Sequence, residues 1–283
     1  MTSLLWVIGG VALFLGLLVL DRLAGRVVRP TALPVARTIP ETGLPHEDIV
    51  IRSGPGELKG WFLHSNGAPT REPLLVAAHG WGANYSVVLR LAEPLARNGH
   101  EVLLFDVRGH GRNPPLPTVT IRDFRDDVVA AIRYGTERFP DRPMVLIGHS
   151  MGGAAGVVAA ADGAPIAALA LIAAPSDILR VTAEYMTDKG LPGPLMVAGL
   201  RPFFWRRVGG TFLPLTPSRR IADLEIPLLL IQPENDARVL RSHAVALADA
   251  AGRPVHIIDD REHTDVLDAP ETLRLIEEFL ESV

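Results

Sequence analysis

The chain has 283 residues, 48% of them hydrophobic, which is enough to bury one large core. Its formal charge of -4 excludes the overall basic surface that nucleic-acid binding needs, so no nucleic-acid partner is expected. The absence of cysteine excludes disulfides, thiolate metal sites and a cysteine nucleophile; no acidic or histidine cluster shows ligand spacing, so neither metal nor cofactor is expected.

Residues 2–20 carry no charge and include Leu4, Leu5, Trp6, Val7, Ile8, Leu13, Phe14, Leu15, Leu17 and Leu18. As a helix such a run spans about 28 Å, close to the hydrocarbon thickness of a bilayer. Met1, Thr2 and Ser3 supply no basic side chain of the kind that opens a signal peptide, so an uncleaved transmembrane helix over residues 1–21 is expected, making this a single-pass membrane protein. Arg22, Arg26, Arg29 and Arg37 follow against a single Asp21, and the positive-inside rule places the remainder in the cytoplasm. Residues 22–46, with Pro30, Pro34, Pro40 and Pro45, read as a stiff, extended linker to a domain over 47–283.

The domain opens with strand candidates at 48–52 and 58–64 around Ser53, Gly54, Pro55 and Gly56, a hairpin pattern. Apolar runs then alternate with helical patterns: strand 73–78, helix 85–97, strand 101–105, helix 121–139, strand 144–147, helix 150–161 and strand 166–172. In the helix at 121–139, Ile121, Phe124, Val128 and Ile132 share one face, Arg122, Asp123, Arg125 and Asp126 take the other, and Thr120 can cap it. A long irregular stretch follows, and the alternation resumes with strand 227–231, helix 242–251, strand 255–258 and helix 270–281. Strands apolar on both faces and separated by helices belong to a mainly parallel sheet covered on both sides.

Gly148, His149, Ser150, Met151 and Gly152 stand directly after the apolar run 144–147 and before a helix rich in small residues. A serine flanked at both second positions by glycine, on a strand-to-helix turn, has the form of a nucleophile elbow, which presents the hydroxyl at the top of the sheet. An elbow of this kind is followed in chain order by an acid and then a histidine, each on a loop after a later strand. Asp236 follows the strand at 227–231, and His263 follows the strand at 255–258. His263 would take the proton from Ser150 and return it to the leaving group, while Asp236 would hold the imidazole tautomer. Glu234, Asp259, Asp260, Glu262 and Asp265 are the competing acids. Two backbone N–H groups would receive the developing oxyanion: Met151, after the nucleophile, and Trp81, in His79-Gly80-Trp81-Gly82 after the strand at 73–78. His79 reads as a hydrogen-bonded structural residue.

His79 to Gly82, then Asp106-Val107-Arg108-Gly109-His110-Gly111, then Gly148 to Gly152, Asp236 and His263 form an ordered set over about residues 47–283. In that order they resemble the serine hydrolases of the α/β-hydrolase superfamily, in the branch of monoacylglycerol lipase and the serine aminopeptidase-like enzymes. The resemblance implies the α/β-hydrolase fold, a structural role for the Asp106 loop, and a cap over the active site at about residues 175–220. That segment mixes Leu195, Met196, Val197, Phe203, Phe204 and Trp205 with Arg180, Arg201, Arg206 and Arg207, a pattern suited to a lipid-facing surface and equally to a core cover with solvated arginines. The resulting expectation is a membrane-anchored serine hydrolase of small-molecule or lipid esters such as monoacylglycerol or lysophospholipid, acting through an acyl-enzyme on Ser150. A peptidase or amidase with the same triad and a non-catalytic ligand-binding member of the fold stand as alternatives.

Overall fold

The computed structural model describes residues 2–31, 33–65 and 71–283. Among them the strands β1 (His46–Ser53), β2 (Gly56–Leu63), β3 (Arg71–Ala78), β4 (His100–Phe105), β5 (Met144–His149), β6 (Ala168–Ile172), β7 (Leu228–Pro233) and β8 (Val255–Ile258) form one sheet. Its order is β1-β2-β4-β3-β5-β6-β7-β8. β1 and β2 are the expected hairpin and β2 pairs antiparallel with β4, while β3 through β8 run parallel. The helices are α1 (Thr2–Val27), α2 (Tyr85–Arg97), α3 (Ile121–Arg138), α4 (Met151–Ala161), α5 (Ile178–Asp188), α6 (Gly193–Val208), the short α7 (Pro217–Arg220), α8 (Arg241–Ala251) and α9 (Pro270–Leu280).

Because strand side chains alternate, the central strands feed two core layers. Leu74, Val76 and Ala78 of β3 pack with Phe124 and Val128 of α3 and Ala155 and Val158 of α4 on one face. Leu75 and Ala77 pack with Leu89 and Leu95 of α2 and Ile276 of α9 on the other. Burial on both faces is what makes these strands continuous apolar runs in the sequence. The parallel strands all deliver their C-terminal ends to one edge of the sheet, where the loops carrying His79, Asp106, Ser150, Asp236 and His263 begin.

One buried ionic cluster ties the hairpin to this frame. Asp127 on α3 is fully buried and accepts from the Ser53 hydroxyl at 2.6 Å, from the Arg108 backbone N–H at 2.8 Å, and from the Arg108 guanidinium. Thus β1, α3 and the loop after β4 converge on one carboxylate.

The stretch after β6, expected to be irregular, is instead two helices, α5 and α6. Gly199 and Pro202 interrupt the helical signal in α6, but packing overrides the local preference. Met186, Val197, Leu200 and Phe204 form a separate buried cluster, and Gly193 lies so close to α5 that a side chain there would meet the Ala183 carbonyl oxygen at 2.0 Å. Asp177 caps α5 by accepting from the Arg180 N–H at 3.0 Å.

α1 is long and apolar enough to cross a membrane, and its apolar side chains from Trp6 to Leu20 are largely exposed. It continues to Val27, where its last turns leave the exposed regime: Ala24 is fully buried in the α5–α6 cluster, and Asp21 pairs with Arg206 at 2.5 Å and Arg207 at 2.8 Å. The proline-bearing segment that follows, expected as a linker, lies against the domain. Ile39 and Leu44 are buried with Trp61, Tyr85 and Leu89, because their apolar side chains lose more water there than an extended spacer would allow.

Replacing Asp127 with alanine leaves Arg108 and the Ser53 hydroxyl without their shared acceptor. The expected loss of unfolding free energy is about 3 kcal/mol, read as a lower urea midpoint.

Candidate active site

Ser150 stands between β5 and α4 with φ 55° and ψ -121°, a left-handed conformation that costs a non-glycine residue about 1–3 kcal/mol. Its surroundings hold it there. A side chain at Gly148 would meet the Gly153 backbone at 2.4 Å, and one at Gly152 would meet the Ala78 carbonyl oxygen at 2.4 Å. A side chain at Gly80 would lie 2.8 Å from the Ser150 Cβ. The strand β5, the turn and the loop after β3 therefore approach at backbone contact, and the Ser150 N–H is held by the Ile172 carbonyl of β6 at 2.8 Å.

Asp236 and His263 come together beside it. The His263 Nδ1–H donates to Asp236 Oδ2 at 2.8 Å, with both side chains almost wholly withdrawn from solvent. Asp236 is itself held on several sides: Oδ1 accepts the Arg238 and Val239 N–H groups at 2.9 and 2.8 Å, and the buried Gln232 amide lies 3.4 Å from Oδ2. Glu234 accepts from the Asp260 N–H and Asp265 from the Glu262 N–H, so among the described residues no rival acid bonds to His263. Nor does a hydrogen bond join His263 to Ser150 among them. Nucleophile–base bonds of this kind tighten when substrate is bound. Among the described residues, neither the Trp81 nor the Met151 N–H donates to a protein acceptor, although both adjoin the Ser150 turn.

Two further residues of this site left no mark of their role in the sequence. His149, inside the Gly148–Gly152 turn, donates from Nε2 to the His263 carbonyl oxygen at 2.8 Å, and the two rings lie 4.8 Å apart. Burial pushes the His149 imidazole down to about 3, with the neighbouring His263 acting in the same direction. It is therefore neutral, with its proton on Nε2. Gln232, the residue after Ile231 in β7, bridges Asp236 to the Val239 carbonyl. Its position next to the acid loop is the one signal that could have suggested it.

His79 and Asp106 form the floor. His79 is fully buried; its Nδ1–H donates to the Gly80 carbonyl at 2.8 Å and its Nε2 accepts the Val107 N–H at 3.0 Å. Burial holds it neutral, its pKa pushed down to about 3. Asp106 accepts the Tyr85 and Arg112 N–H groups at 2.7 and 2.8 Å, and burial nevertheless raises its carboxyl to about 6. These contacts shape the two loops. Among the described residues no group of three or more acidic or histidine side chains is placed to hold a metal ion.

A second serine–histidine–carboxylate series lies between α5 and α8. His243 Nδ1 accepts from both the N–H and the hydroxyl of Ser176, at 3.1 and 2.8 Å, while its Nε2–H donates to Glu184 at 2.7 Å. Ser176 is buried and the imidazole lone pair is already shared with a backbone donor, so this series joins α5 to α8 without activating a nucleophile.

A parallel sheet with an elbow serine, and an acid and a histidine on successive loops at one edge, defines the α/β-hydrolase fold. The family described as alpha/beta hydrolase fold matches residues 73–194. The uncharacterized protein YfhR of Escherichia coli K12 is 26% identical over 221 residues, covering 74% of this chain and 69% of that protein. The monoglyceride lipase of Rattus norvegicus is 28% identical over 129 residues, 44% of this chain and 41% of the lipase. Among solved structures, the Pyrococcus furiosus esterase Pf2001 superposes with a TM-score of 0.70 at 21% identity, covering 90% of this chain and 97% of the esterase. The chain thus has the α/β-hydrolase fold, and it is similar to esterases and lipases that share that fold.

His149 stays neutral in the folded state down to about pH 3, whereas an unfolded histidine binds a proton near pH 6.5. Below pH 6.5 the unfolded state therefore holds more protons, and stability falls as pH falls. In His149→Gln, whose amide nitrogen can reach the Nε2 position, the loss of unfolding free energy between pH 7 and pH 5 should be smaller by about 2 kcal/mol than in wild type, measured by urea titration at both pH values.

Proposed function

We propose that the chain is a membrane-anchored serine hydrolase that cleaves carboxylic esters, among them lipid esters such as monoacylglycerol or lysophospholipid, through an acyl-enzyme on Ser150. The observation that carries this reading is the buried Asp236–His263 pair on the loops beside the strained Ser150 turn. His263 Nε2 accepts the hydroxyl proton as Ser150 Oγ attacks the acyl carbon, and Asp236 stabilises the imidazolium that forms. The carbonyl oxygen, now an oxyanion, sits between the Trp81 and Met151 N–H groups, which are free of protein acceptors. Collapse breaks the bond to the alcohol, which leaves with the proton from His263, and a water activated by the same imidazole releases the acid. The similarity to a monoglyceride lipase and an esterase supports ester cleavage.

Membrane attachment rests on α1, whose apolar side chains from Trp6 to Leu20 are largely exposed. Arg22, Arg26 and Arg29 at its C-terminal end support a cytoplasmic catalytic domain under the positive-inside rule.

A fluorophosphonate probe should label wild type and not Ser150→Ala, with labelling of the variant overturning the nucleophile. In Asp236→Asn, kcat should fall by about 10³–10⁴-fold. A panel of esters and matched amides of increasing acyl length should be hydrolysed at the esters, and preference for the amides would replace esterase with amidase. Because the chain has no cysteine, Glu57→Cys introduces a single exposed thiol. An impermeant maleimide should reach that thiol only after the cells are opened, and labelling of intact cells would reverse the orientation.

A further inference from the structure

Between α1 and β1, the stretch from Leu33 to Ala36 makes its polar contacts with one place in the hydrolase fold, the end of the loop that carries Trp81 and the start of α2. The Leu33 N–H donates to the Gly82 carbonyl at 2.9 Å. The Asn84 amide donates back to the Leu33 and Pro34 carbonyls at 3.0 and 3.3 Å, and the Ala36 N–H donates to the Ser86 hydroxyl at 3.1 Å. Gly82 has φ +72°, and a side chain there would meet the Thr31 carbonyl oxygen at 3.0 Å, so segment and loop touch backbone to backbone. Before this stretch, Val28 accepts from Val119; after it, Arg37 pairs with Glu93 on α2, and Ile39 enters the core.

The loop is therefore gripped from two sides. Its inner side is set by the buried His79 side chain and by Gly80 against Ser150. Its outer side, Gly82 to Ser86, is set by residues that precede the hydrolase fold and lead straight from α1, which is itself clamped to the cap by Asp21, Arg206 and Arg207. We infer that the described residues from Val28 to Arg37 are a positioning strap that aims the Trp81 N–H at the oxyanion, so that turnover depends on a segment outside the common fold. This rests on the acyl-enzyme reading given above. An oxyanion donor removed outright costs about 10²–10³ in kcat. A donor that is present but loosely aimed costs less.

The test uses the full chain in detergent and two variants. Leu33→Pro deletes one N–H donor at a half-exposed position that the following Pro34 already restricts to extended backbone. Asn84→Asp keeps the oxygen that accepts from Ser86 and caps α2, and replaces the donor to Leu33 and Pro34 with an acceptor. Active sites are counted by fluorophosphonate titration, and hydrolysis of p-nitrophenyl butyrate is expressed per titrated site. In both variants kcat per titrated site should fall by about tenfold or more with KM within about twofold, because the interaction lost is made chiefly in the transition state. A merely structural strap would lower the number of titratable sites and leave the rate per site as in wild type; that outcome, or wild-type rates with all sites intact, overturns the strap. Failure of the wild type to titrate at Ser150 overturns the acyl-enzyme reading, and the strap with it.

Discussion

Everything at the reactive edge of the sheet depends on one steric constraint, the approach of the Ser150 turn to its neighbours at less than side-chain distance. Gly148 faces the Gly153 backbone, Gly152 faces the end of β3, and Gly80 faces Ser150 itself. With any of these positions filled, β5 and α4 would separate and the serine would relax out of its left-handed backbone conformation. The strain at Ser150 is borne by the sheet, through the bond from its N–H to Ile172 and the apolar layers beneath.

The buried polar groups around the turn share one feature: His79, His149, Asp106 and Asp236 each direct hydrogen bonds to backbone. His79 and His149 are neutral and spend their N–H groups on the Gly80 and His263 carbonyls. Asp106 and Asp236 accept backbone N–H groups from their own loops. In a low-dielectric setting such bonds fix loop shape firmly, since a misplaced partner would leave a buried group unpaired. His263 is thus positioned twice, by Asp236 through its ring and by His149 through its carbonyl.

The sheet, its flanking helices and the turn at Ser150 were legible because each has a local signature. β5 is a continuous apolar run, α3 has one apolar and one charged face, and the turn requires glycine where the sequence has it. Asp236 and His263 could be singled out by position, as the acid and histidine after the last two strands, and the structure places them 2.8 Å apart. What the sequence hid is long-range and backbone-borne. The His149 bond spans 114 positions, and nothing in a Gly-His-Ser turn says that the histidine will reach a carbonyl on another loop. The contacts of residues 31–36 are made largely by peptide groups, so four prolines dominated the reading and suggested a spacer. In α6, an interior Pro202 obscures the helical pattern, and burial against α1 and α5 outweighs its cost.

The strict alternation of β3 between the two core layers also governs where this chain can change length. Deleting or adding one residue in β3 would exchange Leu74, Val76 and Ala78 with Leu75 and Ala77, swapping the sides on which α3 and α2 find their partners. The same slip would rotate Gly80 away from Ser150. The crossing from β6 to β7 has no such restriction, because it leaves the sheet through α5, α6 and α7 and returns in register. Insertions and deletions are thus accommodated among α5, α6 and α7, while the strands can vary only by exchanging one side chain for another.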